Sequence, residues 1–241
     1  MKRYQTIRKP LVILTALLFH LLLVFHLLFS PVIVVAAAWK GIINASFVVY
    51  TLIFFTSLFF GRAFCSWFCP GCGIQEIISA AVRKKSRNSK ANYLKYIIFT
   101  IWLGTIVTGY LITGIHTVDL TFGMTDLTLV RKIILTAGAL LIILPVTFAF
   151  GRFASCKYVC WMAPFLILGT KIRDFFHLRG LRLNVSAEKC TGCGICTTAC
   201  PMNLDVSAQV QMREMKHDEC ILCGNCLDSC KKGAIKFTFA K

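Results

Sequence analysis

Acidic side chains are scarce in this chain. Asp and Glu number 10 against 27 Lys and Arg, and charged residues of both signs make up 15% of the 241, where soluble chains carry about 25%. With 57% hydrophobic residues and a mean hydropathy of +0.71, this shortage of charge excludes an ordinary soluble domain for most of the length. No C-x-x-C-H occurs, which excludes covalent attachment of a c-type haem. The basic start, Met1-Lys2-Arg3, leads into an apolar run at 11–28 with no small-residue cleavage site after it. That run is long enough to span, so a cleavable signal peptide is not expected. The formal net charge of +17 admits a nucleic-acid reading, but the positions of the basic residues point to membrane topology and away from nucleic acid. The sum also overstates the charge, because a cysteine bound to iron is a thiolate.

Apolar runs are plentiful. A hydrocarbon core of about 30 Å calls for about 20 residues, and four runs qualify: 10–35, 42–60, 93–115 and 129–150. Lys2, Arg3, Arg8 and Lys9 precede the first. Arg62, Arg83, Lys84, Lys85, Arg87, Lys90 and Lys95 lie between the second and third. Arg152, Lys157, Lys171 and Arg173 follow the fourth. The opposite connections hold Lys40 in one and Asp119 and Asp126 in the other; Arg131 and Lys132 are the exception. Positive residues collect on the cytoplasmic side, so a multi-pass protein of the cell's inner (cytoplasmic) membrane is expected, with both termini in the cytoplasm. Beyond the fourth run, Phe165, Leu166, Leu168, Ile172, Phe175 and Phe176 alternate with Lys171, Arg173, Asp174 and Arg179. Residues 161–183 therefore read as an interfacial amphipathic connector, with a packed extension of the fourth span as the alternative. Hydrophobicity drops near Asn184. The organisation expected is a membrane domain over 1–160, the connector over 161–183, and a C-terminal domain over 184–241.

That last domain carries the strongest pattern. Cys190, Cys193, Cys196 and Cys200 form C-x-x-C-x-x-C-x-x-x-C with Pro201 next, and Cys220, Cys223, Cys226 and Cys230 repeat the spacing. This is the bacterial two-cluster ferredoxin pattern, in which the fourth cysteine of each run serves the other cluster. Cys190, Cys193, Cys196 and Cys230 are thus expected on one 4Fe–4S cluster, and Cys220, Cys223, Cys226 and Cys200 on a second. Gly192, Gly194 and Gly224 suit the tight turns such loops need. Lys231 stands where Pro follows the first run. Zinc sites take four ligands as paired C-x-x-C, which eight cysteines in two three-plus-one groups fit poorly.

The remaining five cysteines sit at span ends. Phe60-Gly61-Arg62 leads to Cys65-x-x-x-Cys69-Pro70-Gly71-Cys72, and Phe150-Gly151-Arg152 leads to Cys156-x-x-x-Cys160. Each half is two spans followed by a cysteine pair, an internal repeat. On a helix, i and i+4 share a face, so each pair is expected to project together. Cys65, Cys69, Cys156 and Cys160 supply the four thiolates of a third 4Fe–4S cluster shared between the halves, with Cys72 as an alternative ligand. A redox dithiol, another metal, or packing of small residues are the rival readings.

On these features the chain resembles the NapH/NosR/CcoG group of membrane ferredoxin-like proteins, the NapH-type quinol dehydrogenase membrane component above all. The resemblance implies four helical spans in two pseudo-repeats joined to an α+β two-cluster ferredoxin domain. It also implies electron transfer between quinone and a redox partner protein, as a subunit of a quinol dehydrogenase or related oxidoreductase. The chain departs from the group at Trp161-Met162-Ala163-Pro164, where Pro usually follows the cysteine directly. No flavin-binding domain precedes the spans and no β-sandwich follows the ferredoxin part, which argues against NosR-type and CcoG-type proteins. A metal reductase or assembly factor handling copper-type metal at the membrane-edge cysteines is the alternative function. His20 and His26, in the first span, are candidates for haem ligation, quinone contact or buried hydrogen bonding. His116 and Asp119 are either proton acceptors beside a quinol or part of a polar loop. Trp39, Trp67 and Trp161 are expected as interfacial anchors.

Overall fold

The computed structural model describes residues 3–21, 30–82, 84–86, 90–123 and 129–240. His26 and Asp126 lie outside these, as do Lys2, Arg83, Arg87 and the side chain of His20. The chain is mainly helical. Helix α1 runs Arg3–Leu21. Ser30 caps α2 (Pro31–Ala38) by accepting the Ile33 amide, with Pro31 in the first turn where its missing N–H is no loss. Asn44 caps α3 (Ala45–Phe60) in the same way through the Phe47 amide. Two short helices follow, α4 (Ala63–Trp67) and α5 (Pro70–Ile78); then α6 (Leu94–Thr113) and α7 (Leu129–Phe150). A two-residue parallel bridge ties β1 (Ile42–Ile43) to β2 (Thr117–Val118) at the far end of these helices from the cysteines.

The second half repeats the plan of the first, with α8 (Ala154–Tyr158) and then α9 (Met162–Phe175). Helix α9, which forms most of the expected connector, lies along α3. Gly169 makes that approach feasible, since a Cβ there would collide with Ser57 Oγ; Gly73 does the same for α5 against Val12 and Ala16 of α1. Small residues at such crossings let helix backbones approach closely. Leu166 and Ile167 are buried on the inner face of α9, while Phe175 and Phe176 are exposed at its end.

One described stretch, Ala91–Thr113, is long and apolar enough by itself to cross a membrane; Ala45–Phe60 and Ala137–Phe150 are shorter apolar helices. The first expected span is divided, because α2 begins afresh at Pro31. The C-terminal domain is α+β, as expected. Strand β3 (Gly180–Val185) pairs antiparallel with β4 (Ile235–Ala240), Gly180 opposite Ala240 and Val185 opposite Ile235. Between them lie the cysteine loops and three short helices, α10 (Ile195–Ala199), α11 (Val206–Gln211) and α12 (Asn225–Ser229), over a core of Leu183, Met202, Leu204, Val206, Val210, Ile221 and Ile235.

Candidate iron–sulfur centres

The two ferredoxin-type runs fold so that each lends a cysteine to the other. Cys190, Cys193, Cys196 and Cys230 line one cavity; Cys200, Cys220, Cys223 and Cys226 line another. As cavity linings the cysteines group in the way the spacing groups them. Gly192, Gly194 and Gly224 all adopt positive φ, the last two just ahead of α10 and α12. The chemistry of the donors suits a cluster. Backbone amides two residues on point at the sulfurs of Cys193, Cys220 and Cys223, from Ile195, Leu222 and Asn225. Such N–H donors favour a thiolate. Burial opposes it, lifting the thiol of Cys220 to about 11 and that of Cys223 to about 12, so loading must displace protons. Cys193 is exposed and its thiol is held below the usual range by the Ile195 amide and the Thr191 hydroxyl. Among the described residues no three His, Cys, Asp or Glu side chains close on one point as ligands of a single ion do; a cubane needs its thiolates spread around a cavity.

The five cysteines expected at the membrane edge also converge. Cys69 lies near Cys65 and Cys160, Cys72 near Cys156, and Cys156 near Cys160 and Cys69, all buried or half-buried. The expectation of one helix face per pair needs correction. Helix α4 ends at Trp67 with Phe68 as its cap; Pro70 disfavours helical backbone at the residue before it, and Cys69 accordingly sits at φ −70 ψ 120, capping α5. Each pair is instead wrapped by a tight turn. Phe64 O accepts the amides of Phe68 and Cys69, both at 3.0 Å; Ser155 O accepts those of Val159 at 3.1 Å and Cys160 at 2.9 Å. The repeat seen in sequence is thus repeated in hydrogen bonding. Gln75 joins the halves by donating to Thr147 Oγ1 at 2.6 Å and Ser155 Oγ at 3.1 Å.

Burial raises the Cys65 thiol to about 11 against the pull of Arg62, and the Cys69 thiol to about 12 with help from Cys65 and Cys160. The Gly71 and Cys72 amides point at Cys69, matching the ferredoxin loops. Arg62 stands beside Cys65, and its buried Nε has no hydrogen-bond partner among the described residues. A spare buried donor beside clustered thiols fits an anionic occupant. These residues could hold a third cluster.

Sequence reasoning counted Arg8, Arg62, Lys95 and Lys157 only as topology charges. All four are buried, and they join the two parts of the chain. Arg62 donates to Asp218 O at 2.8 Å and pairs with Glu219 at 3.2 Å, and Lys95 pairs with the same carboxylate. Burial works against ionisation of Glu219, but the neighbouring Arg62 and Lys95 charges outweigh it and hold the carboxyl below its usual value. Lys157 donates to Met202 O at 3.1 Å. Trp67 donates to Leu222 O at 3.3 Å, and Trp161 packs on Tyr50 and Trp102 at 5.0 and 4.5 Å; both indoles face inward rather than anchoring an interface. A continuous bridge also runs from the second cysteine set to the membrane-edge loop. Gln5 Nε2 donates to Cys223 O at 2.7 Å, Arg8 Nε to Gln5 Oε1 at 2.9 Å, and Arg8 Nη1 to Ser66 O at 3.2 Å. The only advance signal of these roles was the repeated Phe-Gly-Arg. His116 and Asp119 lie exposed in the β2 turn, Asp119 accepting from the Thr121 amide and hydroxyl.

Residues 45–89 match the family described as a 4Fe-4S binding domain, and residues 182–231 the 4Fe-4S dicluster domain family. Fold and matches together define an iron–sulfur protein of the ferredoxin type, with one such domain spanning the first membrane-edge motif and another the C-terminal loops. The uncharacterized protein MJ0750 of Methanocaldococcus jannaschii is 27% identical over 83% of this chain and 82% of its own length. The putative electron transport protein YccM of Escherichia coli is 24% identical over 72% of this chain and 50% of its own length, and the ferredoxin-type protein NapH of the same organism 26% over 73% and 62%. Within the ferredoxin-type class, then, the chain is similar to YccM and NapH, electron-transport and ferredoxin-type proteins. It spans between half and two thirds of YccM and NapH. No solved structure matches it.

Proposed function

We propose that this chain is a membrane-bound relay that carries single electrons between quinone and a redox partner protein, with both termini and the ferredoxin domain on the cytoplasmic side. The observation that carries this reading is the basin of five thiols from both halves, bonded through Arg62, Trp67, Lys157 and the Gln5–Arg8 bridge to the loops of the second ferredoxin set. Cys65, Cys69, Cys156 and Cys160 are the proposed ligands of a third cluster, with Cys72 as the reserve. A 4Fe–4S cluster exchanges one electron at a time, at a potential set by hydrogen bonds and burial. The chain itself does the rest: it aligns three thiol sets from the membrane edge to solvent, surrounds the inner two with apolar side chains, and places buried cations between them.

Four membrane crossings are supported by a belt of exposed apolar side chains on the long helices, including Ile101 at 63%, Leu111 at 80% and Leu141 at 76%. Patches of that extent mark contact with lipid or partners. The quinone assignment rests on the resemblance carried by the cysteine motifs and on likeness to a subunit named for NADH-quinone oxidoreductase, 32% identical over 27% of this chain, and its site is proposed at the membrane side of the five-thiol basin.

The test is iron and acid-labile sulfide per chain on anaerobically purified protein, with EPR during stepwise reduction by quinol. About twelve irons, falling to about eight in Cys65→Ala, is the expected result. About eight irons in the unaltered chain would refute the third cluster and turn the five thiols over to dithiol or copper-type metal chemistry.

A further inference from the structure

We propose that the cleft lined by Cys190, Cys193, Cys196 and Cys230 opens onto a docking face for an acidic electron-carrier protein. The inference rests on the relay reading and adds the place and chemistry of the partner. Cys193 is the one exposed cysteine among the thirteen, so this set forms the outward end of the aligned thiols. Most bonds to the membrane part come from the other set and its neighbours, Met202, Asp218, Glu219, Leu222 and Cys223; Arg152 also reaches Thr198 O at 3.4 Å and the Tyr4 and Gln5 amides hold Asp228, yet Cys193 stays exposed. Lys189, Lys231 and Lys232 line the cleft, all exposed, and no carboxylate lines it. Glu188 is next in sequence to Lys189, but it faces Arg213 at 4.0 Å. At the centre Ile195 is 47% exposed.

An apolar centre within a polar, charged rim is the anatomy of a protein interface. A rim of one sign selects a partner of the other and speeds encounter. Lys231 is the residue that departs from the expected Pro after a fourth cysteine, and it adds charge at the cleft edge. The rival role for the three lysines is to balance the negative charge of a loaded cluster. That role needs no exposed isoleucine and is indifferent to the charge of an outside protein.

The experiment uses the full iron-loaded chain, oxidised, in phosphatidylcholine nanodiscs. The probes are ferric mitochondrial cytochrome c, which is basic, and its succinylated form, which is acidic with the same haem; no electron passes between oxidised partners. Equilibrium binding is measured at low ionic strength. The acidic probe is expected to bind and the basic one not, with the preference fading at about 0.5 M salt, where screening reaches a few ångströms. In K189E/K231E/K232E the acidic probe should bind on the order of tenfold more weakly, with iron content unchanged. If that variant loads iron poorly, K189Q/K231Q/K232Q replaces it, with a smaller weakening expected. Equal binding of the acidic probe to wild type and to an iron-replete variant would overturn the proposal, as would no binding to wild type. Loss of binding on adding phosphatidylglycerol to the discs, in wild type alone, would assign the face to lipid instead and also overturn it. Clusters that no quinol reduces would sink the relay reading yet leave the binding result standing.

Discussion

Arg8 has no solvent exposure, and its guanidinium meets Glu76 at 2.8 Å, Ser66 O and Gln5 Oε1. Removing one member of a buried pair leaves the other charge uncompensated, at about 3–5 kcal/mol. Lys9, 3.5 Å from the same carboxylate but half exposed, softens the loss. Arg8→Met is therefore expected to destabilise by about 3 kcal/mol, read as a lower thermal midpoint in detergent, while Arg8→Lys recovers part of it. A midpoint unchanged in Arg8→Met would show that the pair contributes nothing net. Asp119 is the opposite case. The Thr121 hydroxyl and amide hold its carboxyl below the usual range, so it stays ionised as pH falls through that range and is a poor base near neutrality. Asp119→Asn should leave the pH dependence of quinol-driven reduction unaltered between about pH 5 and 8; a displaced profile would reinstate Asp119 as a proton acceptor.

Helix α9 depends on its fit to α3. A valine at Gly169 would drive its side chain into Ser57, and such overpacking costs about 1–3 kcal/mol. Gly169→Val is expected to lower the thermal midpoint and raise proteolysis near Phe175 and Phe176; Gly169→Ala should do so less, and identical melting of all three proteins would mean that the helices part without cost. The two ferredoxin loops were legible because their function lies in a local spacing, and the crossed sets follow from it. The membrane-edge pairs were legible as a repeat but not in shape, since a helical i, i+4 reading does not foresee that α4 ends at Trp67 and α8 at Tyr158, ahead of the second cysteine of each pair. The buried cations were illegible for a different reason. Arg8 and Arg62 acquire meaning only beside Glu76 and Glu219, and those partners lie 68 and 157 residues away. Trp67 and Trp161 were misplaced on the same ground, because composition cannot tell an indole at an interface from one folded back onto Leu222 or Tyr50.

For the molecule as a whole, the proposed cytoplasmic placement of the ferredoxin domain implies that trypsin should cut at Lys231 or Lys232 in inverted membrane vesicles and not in intact spheroplasts; the reverse pattern would invert the proposed topology. The clasp between its two ends bears on biogenesis as well. The amides of Tyr4 and Gln5, in the first turn of α1, hold the Asp228 carboxylate at 3.2 and 2.7 Å, across 224 and 223 residues of sequence. A helix N-terminus with free donors attracts such an anion, but here the anion is synthesised 223 residues after Gln5. Helix α1 therefore stays unclasped until Asp228 has been made and the second cysteine run has folded. A chain that stopped short of Asp228 would lack this clasp and leave the first turn of α1 unlatched from the cysteine loops, a loose end that proteases can reach.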